Sequence, residues 1–151
     1  MLQDPTGLPF AVEAVAARAS VTLEPVEAGR IISQNVTHDL AEKTAGAQYP
    51  LVYVYCEKIS NLLTEKFRTF SGKARMAVDV RVSHDRLEGI ESQAELYVEA
   101  VTDVLDAHRG CWGQGMFYAG GYEVSFGGIK HGGKNFIQSA KVSFEVDISL
   151  G

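Results

Sequence analysis

Apolar and polar positions alternate most strictly near the C-terminus. Phe136, Ala140, Val142, Phe144, Val146, Ile148 and Leu150 hold even positions, broken only by Gln138. Ser139, Lys141, Ser143, Glu145, Asp147 and Ser149 hold the odd ones. A two-residue period sends successive side chains to opposite faces of a strand, one for a core and one for water or ion pairs. The same period runs through Ala74, Met76, Val78, Val80 and Val82, set against Arg75, Asp79, Arg81 and Ser83, and predicts a second long strand. Residues 51–56 are instead continuously apolar, β-branched and aromatic behind Pro50. That run predicts a strand covered on both faces, with Cys56 as a small buried hydrophobe. A shorter alternation of Tyr122, Val124 and Phe126 with Glu123 and Ser125 predicts another strand.

Elsewhere the period lengthens. Ile90, Ala94, Tyr97, Val98, Val101, Val104, Leu105 and His108 recur at three- and four-residue steps, which predicts one long amphipathic helix. Asp85 with Glu88 suits its start, and Gly110 suits a left-handed residue past its end. His84 belongs to the helix start, and His108 to its last turn or the edge of the core. Near the N-terminus, Pro9 in a first turn and Phe10, Val12, Val15 and Ala16 predict a shorter helix over residues 9–18. Val21, Leu23 and Val26 suit extended chain, interrupted by Pro25. Residues 39–42 read as a capped short helix, and 60–72 as a polar connection with a helical turn at 62–67.

Nine of the fifteen glycines fall between Gly110 and Gly133, which excludes a long helix there. Gly127-Gly128 predicts a bulge and residues 131–134 a turn into the last strand. The element order gives an α+β fold: a four-stranded antiparallel sheet, β-β-α-β-β, covered by one long amphipathic helix, with an extra N-terminal helix. Residues 50–151 form its core, and residues 1–49 an N-terminal helix and irregular arm of the same domain.

Composition narrows the function classes. With 151 residues, 46% of them hydrophobic, the chain can bury one real core. Fourteen bases against nineteen acids leave a net charge of −5, the wrong balance for a general nucleic-acid binder. Cys56 and Cys111 lack metal-ligand spacing and read as free thiols in a reducing compartment. No apolar run approaches ~18 residues and no export leader is legible, so the expectation is a cytoplasmic chain with no membrane contact. The sequon at residues 35–37 then goes unused.

Candidate chemistry is thin. Residues 128–135 nearly match the phosphate-cradling pattern G-x-x-x-x-G-K-[ST], but Asn135 replaces the hydroxyl residue and a strand follows instead of a helix. A hairpin fits better. His38, His84, His108 and His131 are scattered, without the spacing that converges three or four ligands on zinc. G-x-S-x-G is absent, and Cys111 in a Gly-rich turn is a weak nucleophile candidate. No catalytic, cofactor-binding or metal-ligating residue emerges, so the expectation is a protein that is not an enzyme. The alternative is a small ligand-binding or enzymatic α+β domain, its pocket between sheet and helix lined by Tyr53, Tyr55 and Tyr97.

Charge patterning says more. Glu88, Glu91, Glu95, Glu99, Asp103 and Asp106 give the long helix six acids and no base between residues 87 and 107. Between Lys58 and Arg86 the balance reverses, with seven bases against Glu65, Asp79 and Asp85. Two readings fit: ordinary solvated faces, or a head-to-tail contact in which the acidic helix of one copy meets the basic strand of the next. Trp112, Phe117 and Tyr118 either close the core under the Gly-rich segment or anchor a partner.

Residues 50–59 and 72–85, the long helix to Gly110, the strand Gly121-Tyr-Glu-Val-Ser-Phe and the closing run Gly132-Gly-Lys-Asn-Phe-Ile-Gln-Ser-Ala-Lys-Val-Ser-Phe-Glu-Val carry a likeness. Together they resemble the small tail terminator, or tail completion, proteins of long-tailed bacteriophages and related gene-transfer particles. The likeness spans about residues 50–150 and rests on element order and the closing strand pair. It implies an α+β subunit in a hexameric ring that caps the tail tube, stops its growth and offers a surface to the head connector. It implies no catalytic residues and no cofactor, a place in the virion after assembly in the host cytoplasm, and DNA only in transit through a lumen. The interface candidates are Glu91, Glu95 and Glu99 on the helix, Arg68, Arg75 and Arg81 in the basic stretch, Lys130, His131 and Lys134 in the closing hairpin, and Trp112. The first fifty residues depart from the family pattern, which leaves room for a head-closure or neck-adaptor role.

Overall fold

A computed structural model describes residues 2–3, 7–33, 49–61, 71–132 and 135–149. Its frame is three long strands, β2 (Leu51–Asn61), β3 (Ser71–His84) and β8 (Asn135–Ser149), in antiparallel order β2-β3-β8. β3 and β8 pair without a slip from Ser71↔Ser149 to His84↔Phe136. This register aligns the two alternating patterns. Val78, Val80, Val82, Ala140, Val142, Phe144 and Val146 are all buried on one face, while Lys73, Arg75, Asp79, Lys141, Glu145 and Asp147 stand on the other.

The helix-bearing face carries α2 (Leu87–Ala107) and, against it, α1 (Leu8–Ala19). α2 buries Ile90, Ala94, Tyr97, Val98, Val101, Val104 and Leu105, as its periodicity predicts. Its start differs from the expected acidic cap. The N-cap is Arg86, and no side chain caps it. Instead His84 Nδ1 accepts the Arg86 backbone N–H at 2.9 Å. The His84 ring then lies over the first turn, where a Cβ on Gly89 would come within 2.6 Å of it. At the other end the C-cap is His108, whose Nδ1 lies 2.8 Å from the Val104 carbonyl. Gly110 follows at φ +111°, a conformation that L side chains rarely adopt.

In α1 the buried stripe is Leu8, Ala11, Val12 and Val15, and Phe10 is 59% exposed rather than part of the core. The chain after α1 forms no regular element over residues 21–27, buries Val26, and passes a 3-10 turn (Ala28–Arg30) into β1 (Ile31–Ile32). β1 pairs parallel with Val52 and Tyr53. Leu8, Val12, Val15, Val26 and Ile31 join the same core cluster as the sheet and α2.

The sheet is larger than four strands and is not purely antiparallel. Eight strands are described, in the order β1-β2-β3-β8-β5-β4 with β6 and β7 also on β8. The additional ones are short. β4 (Gly110–Gly113) and β5 (Met116–Tyr118) form a hairpin, and β7 (Lys130–Gly132) pairs antiparallel with the start of β8, Gly132 opposite Asn135. In the stretch resembling a phosphate loop, the described residues Lys130–Gly132 are thus a strand paired with β8, and a strand, not a helix, begins at Asn135. β6 (Glu123–Phe126) matches the expected third strand, but every residue in it is exposed. Gln138, the break in β8's alternation, is buried, and its amide donates to the Gly127 carbonyl at 3.0 Å.

β2 is covered on both faces only in its first half. Val52 faces the main core, whereas Leu51 and Tyr53 pack with Ile32, Tyr49 and Tyr55 on the reverse face. Beyond them a bulge between Cys56 and Lys58 shifts the register, and Cys56 is exposed, not buried. Cys111 is also exposed, within β4 rather than in a turn. The expected helix at 39–42, the turn at 62–67, the sequon at 35–37 and the candidates Arg68 and Lys134 lie outside the described residues.

Candidate assembly surfaces

The acidic face of α2 divides into two parts. At its C-terminal half the acids are answered from within the subunit. Arg18 of α1 reaches Asp103 at 2.8 Å and Glu99 at 3.0 Å, and Arg109 reaches Asp106 at 3.1 Å. The hydrogen bond to Asp103, then that to Glu99, holds the Arg18 guanidinium above its ordinary pKa. At the N-terminal half, Glu88, Glu91 and Glu95 are exposed, and among the described residues no base pairs with them. Their three- and four-residue spacing puts them on one ridge, where like charges repel. Of the three helix candidates, Glu91 and Glu95 are thus unpaired within the described subunit and Glu99 is not.

The basic strand is mostly self-satisfied. Arg75 bonds Glu123 at 3.1 Å and approaches Glu57 at 3.4 Å. Glu57 also accepts from Lys141, and the two bonds raise the pKa of both bases, Arg75 chiefly through Glu123 and Lys141 through Glu57. Lys73 lies within 4 Å of both Glu145 and Asp147. Arg81 departs furthest from expectation. Its side chain is 4% exposed, bonds Asp79 at 3.1 Å and sits 4.6 Å above the Tyr53 ring. A buried guanidinium stacked inside its own sheet offers no exposed charge to a neighbouring copy.

Trp112 resolves toward the core. Its indole N–H donates to the His108 carbonyl at 2.6 Å, and its ring packs 5.6 Å from Tyr118 and 6.2 Å from Phe144. Tyr118 is fully buried and donates to the Gly121 carbonyl, while Phe117 on the same short strand points outward. Lys130 and His131 are exposed on β7, with the His131 ring 5.3 Å from Phe136.

Sequence reasoning missed the exposed apolar edge. Tyr122, Val124, Phe126 and Ile129 are each 37–44% exposed. Their alternation signals a strand, but periodicity alone cannot say that no described helix covers its apolar side.

The pocket alternative also changes. Tyr53 and Tyr55 stand on the face of β2 opposite the helices, so they cannot share a pocket with Tyr97. Tyr97 instead lines an open cleft of about 320 Å³ with Glu24, Tyr49, Pro50, Val82, Ser83, Gln93 and Asn135. Its hydroxyl donates to the Glu24 carbonyl at 2.6 Å, and burial pushes its pKa up to about 12. A neutral phenol fixed to a backbone carbonyl is a structural tie, not a poised acid or base. Among the described residues no group of three or more His, Cys, Asp and Glu side chains is placed to hold a metal ion, and no helix is long and apolar enough to cross a membrane.

No family profile matches the chain, and no curated protein matches it.

Proposed function

We propose that the chain is a virion structural protein of the tail terminator kind, assembling head to tail into a ring at the head–tail junction. The observation that carries this reading is the unpaired ridge Glu88, Glu91 and Glu95 on an otherwise well-packed helix. Like charges at these spacings weaken an isolated helix, and bases on a neighbouring copy would relieve them. Lys130, on β7, is an exposed cation without a described ion-pair partner, on a different element from the acidic ridge. Unlike patches at separate places favour heterologous contacts, which close into rings or extend as filaments. The mixed α+β class and the long β3–β8 pair support the likeness, and the likeness in turn would supply the hexamer, the tube-capping role and the connector surface. The ring would pass DNA without gripping it, since the chain's net charge is negative.

The direct functional test adds purified protein to growing tail tubes and follows tube length by electron microscopy. The proposal expects capped tubes that stop lengthening. Tubes that grow on uncapped, while the protein binds isolated head connectors, would move the role to head closure. Binding to neither would remove the neck reading altogether.

A further inference from the structure

Among the described residues, five of the nine exposed large apolar side chains fall within residues 117–129: Phe117, Tyr122, Val124, Phe126 and Ile129. β6 lies in the middle of this stretch, and its ladder runs to β8 alone. The Gly127 N–H donates to the Ser139 carbonyl at 2.7 Å, in the same register that sets Ser125 opposite Lys141 and Glu123 opposite Ser143. Antiparallel ladders alternate between residue pairs that exchange hydrogen bonds and pairs that do not. The N–H and C=O groups of Val124 and Phe126 therefore point away from β8, toward an edge that no described strand occupies. Their side chains stand on the helix-bearing face, opposite Val142 and Ala140, yet remain 37% and 44% exposed.

The same alternation, carried through β8 and β3, fixes the far side of the sheet. Odd residues of β8 bond toward β6, so its even residues bond toward β3, and odd residues of β3 bond toward β2. In β2 this turns the backbone groups of Val54, Cys56 and, past the bulge, Ile59 outward. β1 covers only Val52 and Tyr53, so among the described residues this edge is open from Val54 onward. Cys56 is exposed, and Ile59 is 53% exposed. Among the described residues the sheet thus has open edges at β6 and at β2, each with apolar residues on the helix-bearing face, the arrangement that invites strand addition.

We propose that β6 of one copy pairs with the edge of β2, residues 54–59, of a second copy, so that the sheet continues from subunit to subunit. Each step from β2 to β3, β8 and β6 reverses chain direction, so β2 and β6 run opposite ways. A symmetry axis along the strands preserves those directions, and the new pair is antiparallel. Val124 and Phe126 then pack beside Val54, Cys56 and Ile59 of the neighbour, all on one face. On the reverse face Glu123, whose side chain is 81% exposed, meets a segment carrying the unpaired Lys58. Two different edges meet, so the contact is heterologous and leaves each subunit able to bind two neighbours. Only closure into a ring rests on the terminator reading; the contact itself does not.

Cysteine cross-linking tests this. The double variant Cys111→Ser, Val124→Cys leaves two thiols, the native Cys56 and one on β6. Mild oxidation or a short bismaleimide is expected to give a ladder of covalent dimers, trimers and higher species. Adding Cys56→Ser should abolish the ladder. A dimer that survives removal of Cys56 means that β6 edges pair with each other and overturns the proposal, as does a single-subunit band throughout. Val124→Pro is the second variant. It removes one outward N–H while sparing the bonds of Glu123 and Ser125 to β8, so circular dichroism should be unchanged and self-association roughly tenfold weaker. Undiminished association would overturn the pairing. A ring without the ladder sinks the edge contact and leaves the terminator reading standing; a covalent ladder without rings does the reverse.

Discussion

Arg75 of β3 and Glu123 of β6 meet at 3.1 Å on the face away from the helices, spanning the width of β8. A base that the sequence offered to a neighbouring subunit is thus engaged in tying the exposed edge strand to its own sheet. Replacing Arg75 with alanine should speed hydrogen exchange at residues 123–126 and leave global stability little changed, because exposed ion pairs contribute weakly. Unaltered exchange in β6 would show that the backbone ladder alone holds it.

Charge reversal separates the two halves of the acidic helix. Glu91→Lys with Glu95→Lys removes the unpaired repulsion, so the isolated subunit should fold at least as well while assembly weakens. Glu99→Lys should instead disturb the contact between α1 and α2 through Arg18. Sedimentation at low and moderate salt reads the first effect, and thermal unfolding of the subunit reads the second. Normal assembly of the double variant would rule the helix out of the interface.

The tyrosine that joins α2 to the N-terminal segment should leave a mark at alkaline pH. Burial raises the Tyr97 hydroxyl to about 12, whereas an unfolded tyrosine ionises near ~10. A raised folded pKa means that this contribution to stability is whole below pH ~10 and is lost as pH climbs toward 12. Tyr97→Phe should flatten that limb in urea titrations. Some slope should persist, because burial also raises Tyr55 and Tyr118. At neutral pH the variant leaves the Glu24 carbonyl without its donor, at a cost of about 1–2 kcal/mol.

The cluster of Trp112, Tyr118 and Phe144 gives a built-in probe, since Trp112 is the chain's one tryptophan. Phe144 lies 5.4 Å from Tyr118 and also borders an apolar cleft of about 200 Å³ with Val54, Met76 and Leu105. Phe144→Ala enlarges that space and should cost about 3–5 kcal/mol. The unfolding midpoint followed by Trp112 fluorescence checks it. A cost under about 1 kcal/mol would mean that the site collapses around the gap, or that the packing there is loose.

The parts of the fold legible in the sequence were those whose pattern outlasts several periods. β3, β8 and α2 are each fourteen or more residues long, and their positions match within a few residues. β4, β5 and β7 span three or four residues each, too few for a period to register among glycines. β1 escaped because two isoleucines carry no pattern and a parallel partner twenty-one residues away leaves no local sign. The candidate surface was half legible. Acid spacing on α2 is a property of sequence, but which acids stay unpaired depends on Arg18, Arg109 and the packing of α1. The burial of Arg81 is likewise a tertiary fact, set by Tyr53 on the adjacent strand.

Solution mass measured by light scattering across a salt series, with electron microscopy of any large species, tests the central claim most directly. Head-to-tail ring assembly predicts a discrete multimer near six subunits, alone or once tail tubes are added, that dissociates as salt screens the acidic ridge. A compact monomer of 16.4 kDa, indifferent to both salt and tubes, would contradict it.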